Sequence, residues 1–354
     1  MRIHNTFSIN GKQIGEGQPT YIIAEVSANH NGDFARAAEL IHAAKECGVD
    51  AVKLQTYTPD TLTIRSDSPC FRITGAGIWS GRTLYELYAE AYMPWEWQPN
   101  LKEIADALKL DLFSTAFDAS AVDFLERIQV PAHKIASFEI VDIPLIQKMA
   151  ATGKPLIMST GMVGLAAIEE AIDAARNAGA TEIALLKCTS AYPALPSEMN
   201  LRTIPHMSQA YGVPVGLSDH TIGTAVPIAA VALGACIVEK HFTLSRKDVG
   251  PDSSFSMQPA EMKDLVDSIR IAEAALGRIN YGPSPEEAKN LAFQRSLFVT
   301  LDTKAGEPFT SNNVRSIRPA GGLHPRYLPD ILGRHARQDI PAGTPLAWTH
   351  IAYP

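Results

Sequence analysis

Short apolar runs in this 354-residue chain end, one after another, in groups that can do chemistry. The first ends at Glu25, with Asn29 and His30 close behind. The second carries Lys53 and Gln55, two apart and therefore on one side of a strand. Later runs end in Ser114 and Thr115, in Lys134 and Ser137, in Ser159 and Thr160, and in Lys187 and Thr189. The last two end in Ser218, Asp219 and His220, and in Glu239 and His241. Lysines at strand positions are costly to bury unless they meet anions. With hydroxyls and backbone N–H groups beside them, they suit a phosphate or carboxylate ligand. His220 and His241 close neighbouring runs, and two neutral imidazoles can share a divalent cation. Taken singly, each residue has a plainer reading. A strand lysine can simply pair with a glutamate, a serine at a strand end can cap a helix, and a histidine can be a core residue or a general base.

The elements that must hold these groups follow from the pattern. The runs are residues 20–26, 51–57, 111–116, 133–137, 155–160, 183–188, 213–219 and 236–242. Helical stretches such as FARAAELIHAAKECG and AAIEEAIDAARNAG separate them, and several end at a glycine (Gly48, Gly179, Gly234). Apolar strands without strict alternation fit a parallel sheet covered on both faces. Eight such units predict a (β/α)8 TIM barrel, whose strand C-termini line one mouth. A doubly wound sheet is the alternative, weakened by the lack of G-x-G-x-x-G after the first strand. Residues 66–97 form a long insertion after the second strand, rich in aromatics and containing Gly75, Gly77 and Gly81. On the catalytic face it is a lid, an interface or surface packing.

Composition narrows the class. The chain is 46% hydrophobic and 19% charged, ordinary for a globular protein. A net charge of −7 lacks the basic footprint of a nucleic-acid binder, yet a few lysines in one cleft can still draw an anion. The four cysteines form no C-x-x-C. The opening MRIHNTFSIN has no apolar core of a signal peptide, and no apolar run is long enough to span a bilayer. The expectation is a cytoplasmic protein with neither nucleic-acid nor membrane partners.

The pattern changes near residue 280. The expected domains are a barrel over 1–280, a linker over 281–295 with a short helix capped by Ser284, and a module over 296–354. That module holds a weak repeat. Asp302-x-x-x-Gly306-x-Pro308-Phe309 matches Asp339-x-x-x-Gly343-x-Pro345-Leu346, with Val314 and Ile351 at equal offsets. This predicts a small pseudo-symmetric β-type fold.

Several stretches resemble the sialic acid synthase family. They are EVSANHNG (25–32), KLQTY (53–57), KIASFE (134–139), STGM (159–162), CTSAYP (188–193), GLSDHT (216–221), EKHFT (239–243) and GPD (250–252). They occur in family order across the barrel. The C-terminal module is similar to the family's antifreeze-like (SAF, β-clip type) domain, with R-P-x-x-G at Arg318–Gly322. Residues 57–68, 77–88, 252–256 and 318–325 resemble the pseudaminic acid synthase branch most. Ser27 stands where sialic acid synthases usually carry glycine, and Ser190 where they often carry asparagine.

The resemblance implies a condensation of phosphoenolpyruvate with an open-chain acetamido sugar, giving a 2-keto-3-deoxy acid and phosphate. In this branch the sugar is 2,4-diacetamido-2,4,6-trideoxy-L-altrose. The alternative products are N-acetylneuraminate or legionaminic acid. By similarity Lys53, Thr115, Lys134, Ser137, Ser159 and Ser218 hold phosphoenolpyruvate. Gln55, Ser190, Tyr192 and Asp252 lie near the sugar, and Glu25 is the acid/base group, with Lys53 and Lys134 also catalytic. His220 and His241 bind a divalent ion, manganese first, with magnesium or cobalt possible. Arg318 reaches the partner's barrel in a domain-swapped homodimer. Two other readings compete. One is a Schiff-base aldolase using Lys134 or Lys53, and the other is a carbohydrate-binding protein without activity.

Overall fold

The computed structural model describes residues 6–74 and 79–352. Gly75 and Gly77 of the insertion, residues 1–5 and residues 353–354 lie outside the described residues. The chain divides into two compact units, Met1–Gly277 and Arg278–Pro354.

A short hairpin, β1 (Thr6–Ile9) and β2 (Lys12–Gly15), opens the first unit. Eight parallel strands follow: β3 (Tyr21–Glu25), β4 (Ala51–Thr56), β5 (Asp111–Ala116), β6 (His133–Ile135), β7 (Leu156–Ser159), β8 (Ile183–Cys188), β9 (Val215–Asp219) and β10 (Ile237–His241). They pair in sequence order, and β10 closes on β3, so the sheet is the expected closed barrel. Each of the eight apolar runs is one of these strands.

Period-two alternation sorts the side chains. Ile22, Ala24, Val52, Leu54 and Leu112 join an outer apolar layer with Leu40, Ile41, Leu101 and Leu265 from the surrounding helices. Ile23, Ala51 and Phe113 turn the other way and pack with Phe7, Ile9 and Ile14 of the hairpin. The hairpin therefore seals the N-terminal ends of the strands. Its Asn10 side chain donates to Asp111 at 2.9 Å, and the Tyr21 hydroxyl donates to the same carboxylate at 2.7 Å. With that end filled, the polar strand ends are left to the opposite mouth.

The same alternation corrects one expectation. Asp219 follows Ser218 and so faces away from the mouth. It accepts from Lys240 Nζ at 2.6 Å, a buried pair behind the barrel wall. Lys187 also stands apart: half-buried, it donates to the Cys188 carbonyl and the Thr189 hydroxyl.

In the insertion, Arg72 and Thr83 form an antiparallel bridge, and Thr83 caps helix Leu84–Ala91 in a reciprocal pair with Glu86. The Trp79 indole N–H donates to the Pro251 carbonyl at 3.1 Å, and its ring centroid lies 5.5 Å from that of Tyr192.

The second unit begins with helix Pro285–Ala288, which Ser284 caps through a reciprocal bond with Glu287. β11 (Ser296–Val299) pairs with β12 (Val314–Ile317) over a core of Leu297, Phe309, Ile331, Ile340 and Leu346. The repeat read from the sequence is structural. Thr303 bridges Ile340, Asp302 accepts from Ala342 N, and Asp339 accepts from Ala305 N. Gly306 and Gly343 hold matching φ values of 82° and 84°, a region that favours glycine.

Candidate active site

Seven strand ends build the centre of the mouth. Glu25 ends β3, and its register partner on β4 is Lys53. Lys53 Nζ lies 2.5 Å from Glu25 Oε2, 3.7 Å from Glu239 Oε1 and 3.0 Å from Thr115 Oγ1. Lys53 and Glu25 are 4% and 1% exposed as side chains, so water hardly screens them. Next to them Lys134 donates to Ser159 Oγ at 2.7 Å and to the Ile135 carbonyl at 2.9 Å. Ser218 donates to Glu239 at 3.4 Å.

Burial and charge set the protonation states. Burial pushes the Glu25 carboxyl up to about 7; Glu239 adds to this and Lys53 opposes it. Burial pulls the Lys53 ammonium down, but Glu239 and Glu25 outweigh it and leave it above its usual value. Burial would raise Glu239, but Lys134 and Lys53 hold it below the usual carboxylate range. Lys134 is lowered, chiefly by burial. The result is a cationic floor beside one carboxyl poised near neutrality.

A second group surrounds Tyr192. Its ring lies 4.4 Å from that of His220, 6.3 Å from His241 and 5.3 Å from Phe255. The two histidine rings are 5.3 Å apart. His220 Nδ1 bonds the Thr189 carbonyl at 2.9 Å, which fixes the ring and leaves Nε2 for another partner. His241 Nδ1 is buried with no hydrogen-bond partner, and Asp252 is 4.0 Å away. Burial, aided by His220, holds His241 well below the usual imidazole range, so the ring is neutral. Burial would lower His220, but Cys188 and the Thr189 carbonyl hold it above the usual imidazole range. The unpartnered nitrogen of His241 and the His220 ring beside it fit a divalent cation, which would displace any proton from His220. Among the described residues no cluster of three or more His, Cys, Asp or Glu offers a complete protein cage.

A third group is knitted by Ser27. Its hydroxyl donates to Asp252 Oδ2 at 2.5 Å and accepts from Gln55 Nε2 at 2.9 Å, while Gln55 also donates to Glu25 Oε1 at 2.9 Å. On the other side Ser137 Oγ accepts from Gly161 N at 3.1 Å. A Cβ at Gly161 would collide with the Ser190 and Ser137 hydroxyls, so only glycine leaves both in place.

The expected site residues of the first unit thus fall at the strand C-termini and the loops beyond them. Arg318 is exposed and follows β12 in the second unit. Asn29 and His30 tie loops together. Asn29 bonds the Phe242 carbonyl and Ser256, and His30 accepts from Gly32 N. Sequence reading gives no role to Ser27, Phe255 or Glu139, and names Glu239 as a mouth group beside His241 without a role of its own. Glu139 has a buried carboxylate oxygen without a partner, and burial pushes it up to about 7. Nothing in its local spacing signals this. A cavity of about 760 Å3 lies at the opposite end of the barrel, lined by Pro214, Leu233 and Cys236, and holds none of these groups.

Comparisons with known proteins agree with this geometry. Residues 40–281 match the NeuB family, and residues 294–352 match the SAF domain. The chain is 45% identical to a pseudaminic acid synthase of Helicobacter pylori, over 93% of this chain and 97% of that one. It is 39% identical to the N,N'-diacetyllegionaminic acid synthase of Legionella pneumophila, over 97% and 98%. Among solved structures, the N-acetylneuraminic acid synthetase of Leptospira borgpetersenii in complex with citrate superposes with a TM-score of 0.72 at 30% identity. That match covers 81% of this chain and 95% of that one. A parallel eight-stranded barrel, a SAF module and relatives of this identity along nearly the whole chain lead to one assignment: the chain belongs to the NeuB family.

Proposed function

We propose that the chain condenses phosphoenolpyruvate with 2,4-diacetamido-2,4,6-trideoxy-L-altrose to give pseudaminic acid and phosphate. The observation that carries the chemistry is the buried pairing of Lys53 with Glu25 and Glu239 beside Lys134. It joins fixed cations for an anionic substrate to a carboxyl able to move a proton at neutral pH. The choice of sugar is supported by the relatives at 43–45% identity, all pseudaminic acid synthases.

The chain's residues divide the work. Lys53, Lys134, Thr115, Ser137, Ser159 and Ser218 bind the phosphate and carboxylate and hold the enol carbon toward the aldehyde. Such positioning supplies up to ~7–11 kcal/mol of a barrier in favourable cases. Gln55, Ser190, Tyr192 and Asp252 seat the sugar. The enol carbon forms the new C–C bond to the aldehyde carbon. Water adds at the carbon bearing phosphate, the C–O bond to phosphate breaks, and the ketone oxygen comes from water. Glu25 takes the proton of that water or gives one to the new hydroxyl. His220 and His241 would hold a divalent cation, manganese or else magnesium or cobalt, which when bound supplies a Lewis acid for the aldehyde oxygen.

We place the enzyme in the cytoplasm as a homodimer in which Arg318 of one chain serves the sugar site of the other. No helix among the described residues is long and apolar enough to cross a membrane. Phe138, Val141, Met162, Leu195 and Ile222, on loops after β6 to β9, and Leu165, at the start of the helix after β7, are all more than half exposed and rim the mouth. An apolar rim of this kind marks an interaction surface.

The test of the chemistry uses phosphoenolpyruvate labelled with oxygen-18 at the bridging position. The label leaves in phosphate; label kept in the keto acid contradicts C–O cleavage. A legionaminic-type sugar is the second reading, favoured by the Legionella relative. A Schiff-base aldolase at Lys134 would instead give a borohydride-trapped lysine adduct and activity that survives chelation.

A further inference from the structure

Ser27 is 6% exposed and holds φ at 47°, a left-handed conformation that disfavours side chains other than glycine. Such a conformation persists when its surroundings over-determine it, and it concentrates where function needs it. The hydroxyl gives the reason. Its single proton goes to Asp252 Oδ2, which also accepts from Ala28 N at 3.3 Å. Its lone pair takes one N–H of Gln55, and Glu25 takes the other. Both Gln55 protons are therefore spent inside the protein, and only its side-chain carbonyl oxygen is left to meet a substrate.

We propose that Ser27 is a positioning residue of the sugar subsite, bridging Gln55 and Asp252 so that Gln55 presents an acceptor to a donor group of the sugar, a hydroxyl or an acetamido N–H. The inference rests on the function proposed above and adds to it the residue that orients two sugar contacts. Without the hydroxyl, the Gln55 amide can turn and Asp252 loses its closest donor. Of the phosphoenolpyruvate groups, Lys134 and Ser159 lie outside this chain of bonds, and Lys53 meets it only through Glu25, which keeps its bond to Lys53 in both variants.

Stability and binding should then move in opposite directions, which a purely structural role does not do. Ser27→Gly relieves the backbone and removes the hydroxyl, whereas Ser27→Ala removes the hydroxyl and keeps the backbone conformation. The experiment measures Tm, both KM values and kcat for the wild type and the two variants, with the diacetamido trideoxy sugar. Quenching of tryptophan fluorescence by the sugar alone gives a binding readout. The expected result is a Tm for Ser27→Gly at or above wild type, with the sugar KM raised at least tenfold in both variants. The KM for phosphoenolpyruvate stays within twofold. A wild-type sugar KM in Ser27→Gly overturns the proposal, as does a lowered Tm with equal losses for both substrates. A wild type that makes no product tells against the proposed reaction instead. The fluorescence arm then decides on Ser27: weaker sugar binding in both variants supports it, and equal or absent binding in all three overturns it.

Discussion

Lys53 and Glu25 face each other across neighbouring barrel strands with 2.5 Å between Nζ and Oε2, and both are sealed from water. Glu239 lies 3.7 Å from the same nitrogen, and Lys134 joins Lys53 in holding it ionised. Removing one partner of a buried pair costs about 3–5 kcal/mol, because the other charge stays uncompensated. Lys53→Met is expected to lose stability on that scale in urea unfolding. It should also lose at least ~10²-fold in kcat/KM for phosphoenolpyruvate, since misplacement of a reactant alone has that cost.

Glu25 sets a pH dependence. Its carboxyl is raised from 4.5 to about 7, first by burial, so the folded protein holds that proton more tightly than the unfolded chain. The stability this proton adds is full below about pH 4.5 and is lost as pH rises through 7. If the ionised form is the base, kcat/KM falls as pH drops through about 7. Glu25→Gln should abolish that limb and lower activity ~10²–10⁴-fold. An unchanged limb in the variant would assign the titration to another group, Glu139 or the substrate phosphate.

His220 and His241 make the cation claim measurable without turnover. Titration calorimetry with manganese should give one site per chain, and His220→Ala and His241→Ala should each remove it. A chelator should silence the wild type, and added metal should restore it.

The two glycines of the C-terminal repeat predict equal penalties. Gly306 and Gly343 hold φ near 82° and 84°, and a Cβ at either meets nothing within 4 Å. The cost of Gly306→Ala or Gly343→Ala is therefore backbone strain alone, ~1–2 kcal/mol each. Unequal Tm losses would show that the two turns are not equivalent.

Much of this was legible in the sequence because barrel physics is periodic. The runs ending in Glu25, Lys53, Ser159 and Glu239 are apolar where they touch helices and polar where they open on the mouth. The same period separates Ser218 from Asp219, so only Ser218 can face the mouth, and Asp219 pairs with Lys240 instead. The N-terminal hairpin is not legible in the sequence, because two four-residue strands carry little pattern of their own. Ser27 shows in the sequence only as a departure from the family's glycine, and Glu139 not at all, for a different reason. Their roles come from a positive φ and from a buried oxygen without a partner, and neither is written in local spacing.

The central claim is the reaction and its sugar. The direct measurement incubates the full chain with manganese, phosphoenolpyruvate and each of three acetamido sugars, and follows product by mass spectrometry and phosphate release. The account predicts a 2-keto-3-deoxy acid and stoichiometric phosphate from 2,4-diacetamido-2,4,6-trideoxy-L-altrose. Product only from N-acetylmannosamine or from a D-gluco diacetamido sugar, or product without phosphate, would contradict it.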